Sequence, residues 1–204
     1  MPRKPYGTGL VLGRFQGLHK GHEAVIRRAL SLCRKVCVMI GSADKEGTPH
    51  NPFSLALRRE MLERVFAPEL RRGRLVIYPL PDLGVGNVPA WGDYVLENAE
   101  RCLGKPDCVV YGDEDKCRTW FPNHPEICFE TLDRQEIAMT GTKLRGLILA
   151  GDRETFEAYT HPALHGLFDA LRKELLEAEA GGLPDNIPDA MPGACAGVPA
   201  GQTP

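Results

Sequence analysis

The sequence predicts a doubly wound α/β domain on a parallel sheet, and three observations lead there. Short apolar runs of strand length recur along the chain. Segments with apolar residues at helical spacing alternate with them, the pattern that buries a sheet between helix layers. The first strand-to-helix turn is rich in glycine, histidine and basic residues, at the edge where such sheets bind ligands.

Taken in order, residues 8–13 (TGLVLG) form a short apolar run ending in glycine and read as a buried strand. From Glu23 to Arg34, Val25, Ile26, Ala29, Leu30 and Cys33 keep a helical period. Val36 to Ile40 is the next buried run, closed by Gly41 and Ser42. Strand, helix and strand within this span make one βαβ unit, which implies parallel strands and a right-handed crossover. The pattern then repeats. Asn51-Pro52 opens a helix through about Phe66, with proline near the first turn. Leu75 to Leu80 reads as a strand, Pro89 to Leu103 as a helix and Cys108 to Tyr111 as a strand. Asp113 to Phe121 reads as a short helix and Ile127 to Thr131 as a short strand. Thr140 is a good N-cap, followed by Leu144, Leu147 and Ile148 at helical spacing. The last helix runs from Pro162 to Ala180, with Leu164, Leu167, Phe168, Leu171 and Leu175 on one core-facing stripe. Residues 1–180 are expected to form one domain. Residues 181–204 are dominated by glycine and proline with isolated apolar residues, and are expected to be disordered.

Composition narrows the function. The 204 residues are 43% hydrophobic and 25% charged, with a net charge of -2. Nucleic-acid binders usually carry a basic excess, so no nucleic-acid partner is expected. No apolar run approaches the roughly 20 residues of a membrane helix, and the N-terminus does not read as a secretory signal. The seven cysteines are irregularly spaced and include no C-x-x-C. They fit a reducing cytoplasm, with thiols used as small apolar groups. A zinc site using Cys33, Cys37, His19 and His22 is the alternative, and it lacks the compact ligand pairs such sites use.

The residues that carry chemistry lie in Gly13 to His22 (GRFQGLHKGH). Gly13 and Gly21 have no Cβ, so a nucleotide could approach the backbone closely. The amides at a helix start attract anions. His19 and His22 are three residues apart and can face one ligand, and Arg14 and Lys20 add positive charge. Together these make a phosphate cradle.

This segment resembles the GRFQPxHxGH signature of the nucleotidyltransferases that carry an H-x-G-H motif. His50-Asn51-Pro52-Phe53-Ser54 with Arg58 resembles the (R/N)PF(T/S)…R segment of archaeal-type nicotinamide-nucleotide adenylyltransferases. Pro81-Asp82, Asn87 and Trp91 resemble that family's PD…N…W segment, and Thr140 to Arg145 (TGTKLR) resembles its SGTxxR segment. The matches keep the family's order across about residues 8–160. Gly17 stands where proline is usual, which should loosen the turn, and Leu57 where glutamate is common before Arg58.

The resemblance implies a Rossmann-like nucleotidyltransferase fold, ATP and nicotinamide mononucleotide as substrates, Mg²⁺ accompanying ATP, and a homo-oligomer. It implies AMP transfer that yields NAD and pyrophosphate. His19, His22 and Arg145 are then the catalytic residues, and Gly13, Arg14, Phe15, Gly21, Arg58 and Thr142 the ATP contacts. Asp82, Asn87 and Trp91 fall to the acceptor, with Trp91 either stacking on nicotinamide or packing its helix. Arg58 either neutralises phosphate or lies on a solvated face. Another phosphorylated acceptor (nicotinate mononucleotide, phosphopantetheine or FMN) and a non-catalytic nucleotide-binding regulator stay open as alternatives.

Overall fold

The computed structural model describes residues 4–84, 88–112, 119–132 and 139–181. Five strands form one parallel sheet: β1 (Tyr6–Gly13), β2 (Cys33–Ile40), β3 (Leu75–Pro79), β4 (Cys108–Gly112) and β5 (Cys128–Leu132). Their order is β3-β2-β1-β4-β5, the doubly wound arrangement. The order reverses between β1 and β4, so the chain leaves these two neighbouring strands in opposite directions and opens a crevice at their carboxyl ends. Gly13 lies there, with its carbonyl bonded to Gly41 N–H at 2.9 Å.

Among the described residues seven α-helices cover the sheet. They are α1 (Lys20–Leu32), α2 (Leu55–Val65), α3 (Ala67–Arg71), α4 (Pro89–Leu103), α5 (Gly141–Ala150), α6 (Arg153–Tyr159) and α7 (Phe168–Gly181). On one face, α1, α2, α5 and α7 pack with Val36, Val38 and Ile40 into the larger core. On the other, α4 packs Trp91, Val95 and Leu96 against Leu10, Cys37 and Met39.

The elements follow the sequence reading with local shifts. α2 starts at Leu55 rather than at Asn51-Pro52, because the Ser54 hydroxyl accepts from Leu57 N–H at 3.2 Å and sets the cap there. The last helix is broken into a 3₁₀ turn (Pro162–Leu167) and α7, yet Leu164, Leu167, Phe168, Leu171 and Leu175 are all buried as their stripe requires. α3 and α6 were not expected; each is short, and α6 is started by Asp152, whose carboxylate accepts from Thr155 N–H. Most of the helix expected at Asp113–Phe121, and the tail from 182 onward, lie outside the described residues.

The turn after β1 is not loosened by Gly17. It is closed by a bond from Gly17 N–H to Phe15 O at 2.8 Å, and Phe15 and Gly17 hold φ of 52° and 101°. Proline fixes φ near -65° and has no N–H, so it cannot take this conformation. Gly17→Pro is expected to cost about 3 kcal/mol, although proline is usual at this place in the family signature. Thermal or urea unfolding checks it, and an unchanged midpoint would show that the turn can adopt a second conformation.

Candidate active site

The site forms where four separated segments meet at the carboxyl edge of the sheet: the turn 14–19, the loops after β2 and β3, and the start of α5. Gln16 is the hub. Its buried side-chain carbonyl accepts from Phe53 N–H at 2.9 Å, which ties the turn to the loop before α2. Its backbone carbonyl accepts from Arg145 Nη1 at 3.1 Å, which ties the same turn to α5. A Cβ on Gly141 would lie 3.3 Å from that carbonyl, so the α5 N-terminus sits directly against the turn. Two helix starts, those of α1 and α5, therefore converge on it, each with amides that attract anions.

His19 caps α1: its Nδ1 accepts from Gly21 N–H at 3.1 Å. With Nδ1 accepting, the neutral imidazole carries its proton on Nε2. The His22 ring lies beside it, with centroids 3.9 Å apart, and the edge of Phe15 flanks His22 at 5.3 Å. The close approach of glycine backbone expected at Gly13 is not available on its Cα face. A Cβ there would lie 3.0 Å from Phe15 Cζ, and the Phe15 ring fills that space. Phe15 itself is buried.

Charge gathers at the same place. Burial lowers the Arg145 pKa, and repulsion from Arg14 lowers it further while Glu179 opposes this. Burial also lowers Arg58, to about 10, with Glu46 and Asp44 opposing it and Arg14 adding to the shift. Three guanidiniums thus share one corner of the fold, and an anion brought between Arg14 and Arg145 would relieve their repulsion. Thr142 is exposed and lies 3.4 Å from Arg145 Nη2.

Two expected contacts are enclosed by protein. Arg58 is not a surface charge: it is 0% exposed. Its Nη atoms donate to the carbonyls of Arg14, Gly41, Ser42 and Lys45 at 3.0–3.3 Å, and its Nε to Ser54 O at 3.4 Å. It knits the loops around the site from below. Trp91 is 2% exposed and packs near Tyr94 and Trp120, with centroids at 5.6 and 6.4 Å. It packs α4 against the second core. Leu57, which replaces the usual glutamate, is buried in the larger core.

Asp82 is half-buried after β3, where it accepts from Ser42 Oγ at 3.0 Å. Asn87 lies outside the described residues, and His50 is an exposed loop residue. Among the described residues no group of three His, Cys, Asp or Glu could hold a metal. Among those residues, too, no helix is long and apolar enough to cross a membrane.

One supporting residue carried no signal in the sequence. Glu174 on α7 accepts from Ser54 N–H at 2.7 Å and from Ser54 Oγ at 2.9 Å. Consecutive amides, Phe53 and Ser54, are thus held by Gln16 on one side and Glu174 on the other. Glu174→Gln keeps the shape but leaves a single, neutral acceptor oxygen where the carboxylate had two, so one bond weakens and the other is lost, and a loss of about 1.5–3 kcal/mol is expected in urea unfolding. A loss below a few tenths would show that the clamp is solvated.

Residues 10–75 match the cytidylyltransferase-like family model. A nicotinamide-nucleotide adenylyltransferase of Thermococcus kodakarensis is 30% identical over 145 residues, which cover 71% of this chain and 73% of that protein. The chain belongs to the nicotinamide-nucleotide adenylyltransferase family. A second such enzyme, from Pyrococcus abyssi, is also 30% identical, over 71% of this chain and 74% of its own length. Among solved structures, a bifunctional NMN adenylyltransferase/ADP ribose pyrophosphatase from Francisella tularensis, complexed with AMP and a manganese ion, superposes with TM-score 0.69 at 22% identity. That likeness covers 86% of this chain and 53% of the other, so this chain spans about half of the Francisella protein. The adenylyltransferase fold is thus shared, and within it the H-x-G-H turn, the α5 start and the loops after β2 and β3 occupy one corner.

Proposed function

We propose that this adenylyltransferase transfers AMP from ATP to nicotinamide mononucleotide, giving NAD and pyrophosphate. The observation that carries the reading is the meeting of Arg14, Arg145 and two helix N-termini at the turn 14–19, in a chain whose relatives bear this name. The acceptor phosphate oxygen attacks the α-phosphorus, and the bond from that phosphorus to the bridging oxygen breaks. The electron pair leaves with pyrophosphate. The nucleophile is already an oxyanion at neutral pH, so no protein base is required. Rate then comes from alignment and from charge stabilisation, which suits a site of guanidinium and imidazole donors.

In this reading His19 donates from Nε2, and His22 lies beside it to donate to the phosphates. Arg145 and Arg14 neutralise the β- and γ-phosphates, and Thr142 and the α1 amides near Gly21 add hydrogen bonds. Asp82 and Asn87 belong to the acceptor side. Mg²⁺ would accompany the triphosphate as part of the substrate and would add positive charge to the leaving group. The donor set fits this arrangement, because the turn presents cations and amides to phosphates rather than carboxylates to a metal. A reducing cytoplasm and a homo-oligomer belong to the same reading.

Pyrophosphate release from ATP and Mg²⁺ with nicotinamide mononucleotide tests it. Rapid release with NAD as product is expected. Release only with nicotinate mononucleotide, phosphopantetheine or FMN would keep the ATP site and overturn the acceptor. ATP binding without release on any acceptor would overturn the enzyme.

A further inference from the structure

Two cysteines outside the site face each other across the second core. Cys37 lies in the middle of β2 and is buried; Cys102 lies in the last turn of α4 and is partly exposed. Their sulfurs are 3.2 Å apart, with Cys37 donating to Cys102. A disulfide needs about 2.05 Å, so about 1 Å of approach remains. The moving partner sits at a helix end, where Gly104 at φ 86° stops α4 and a Cβ on it would meet nothing within 4 Å. Cys33 and Cys108 also interact, but both are 0% exposed and closed to a soluble oxidant. Cys128 is exposed on β5, away from the α4 end.

We propose that Cys37 and Cys102 are a peroxide-oxidisable dithiol whose disulfide fastens α4 to β2. Cys102 is the attacking sulfur, because it has access to solvent and receives the Cys37 S–H bond. That bond lowers its pKa, against the effect of burial, while the same bond and burial raise that of Cys37. The Cys102 thiolate attacks one oxygen of hydrogen peroxide, the O–O bond breaks, and hydroxide leaves, giving a sulfenic acid at Cys102. The Cys37 sulfur then attacks Cys102, the S–O bond breaks, and the hydroxyl leaves as water with the Cys37 proton. Two thiols are oxidised by two electrons and one peroxide becomes two waters. The product would hold α4 at its C-terminal end, the helix whose Tyr94 hydroxyl donates to Pro81 O at 3.2 Å beside Asp82. This modification does not depend on the substrate assignment.

The test exposes the full-length chain to hydrogen peroxide, blocks the remaining thiols by alkylation and maps disulfides by mass spectrometry. Cleavage after Arg34 and Lys35 separates Cys33 from Cys37, and cleavage before Asp107 separates Cys102 from Cys108. The expected result is a Cys37–Cys102 linked peptide pair that disappears with dithiothreitol. In Cys37→Ala the sulfenic acid at Cys102 has no partner, and its labelling by dimedone should rise several-fold over the wild type. Linkage through other cysteines, passage of wild-type Cys102 to sulfinic acid without linkage, or an unreacted Cys102 would each overturn the proposal. If Cys37→Ala does not fold, the wild-type map decides alone.

Discussion

His22→Ala is expected to lower kcat by about 10²–10³ while the fold survives. Removing one preorganised donor at a developing charge typically costs this much, about 2.7–4 kcal/mol of barrier. The structure explains why the fold should tolerate it. His22 is half-buried in the first turn of α1, between the rings of His19 and Phe15, and the core of that helix is Val25, Ile26, Ala29 and Leu30. His19→Ala should lose turnover too, but it also removes the α1 cap, worth about 1 kcal/mol. His22→Ala is therefore the cleaner variant. Steady-state pyrophosphate release beside a thermal melt measures both effects. Near-normal turnover with an unchanged melt would remove His22 from the mechanism.

Arg58→Met is expected to be the most destabilising single change among those named, at about 4 kcal/mol or more. Methionine is similar in length and apolar, yet it removes the donor to the carbonyls of Arg14, Gly41 and Lys45, while those of Ser42 and Ser54 keep their bonds from Lys45 N–H and Arg58 N–H. Each buried acceptor left unpaired costs roughly 1–3 kcal/mol. With a pKa of about 10, the group stays charged at neutral pH even under burial. Arg58→Lys keeps the charge, but one ammonium with three donors cannot span five carbonyls in fork geometry, so it should recover only part of the loss. Urea unfolding of the two variants decides the assignment. A mild loss of stability with a large rise in KM for ATP would return Arg58 to the phosphates.

Much of the fold was legible because the apolar periods are local. Each element of the β1–α1–β2 unit, β3, α4, β4 and the α5 cap at Thr140 shows in a stretch of about fifteen residues or fewer. α3 and α6 were missed, since each spans under two helical turns and carries too few apolar residues to declare a period. The start of α2 was misplaced because Pro52 suits a first helical turn, while the capping side chain is that of Ser54.

The candidate site divides the same way. The H-x-G-H turn and the TGTKLR segment are contiguous motifs, so their residues could be named from the chain alone. The sequence also determined the alternation of strands and helices, and hence the kind of edge at which a ligand would sit. Tertiary structure decided what local spacing cannot express. Arg58 and Trp91 are an arginine and a tryptophan in motif-like places, and only packing shows that one is enclosed by backbone carbonyls and the other by core. Gln16 to Phe53, Gln16 to Arg145 and Glu174 to Ser54 join residues 37, 129 and 120 positions apart. The strand order that brings Gly13 to the crevice beside β4 is of the same kind. Contacts of that separation are selected by the shape of the whole core, and no short window of sequence contains both of their ends.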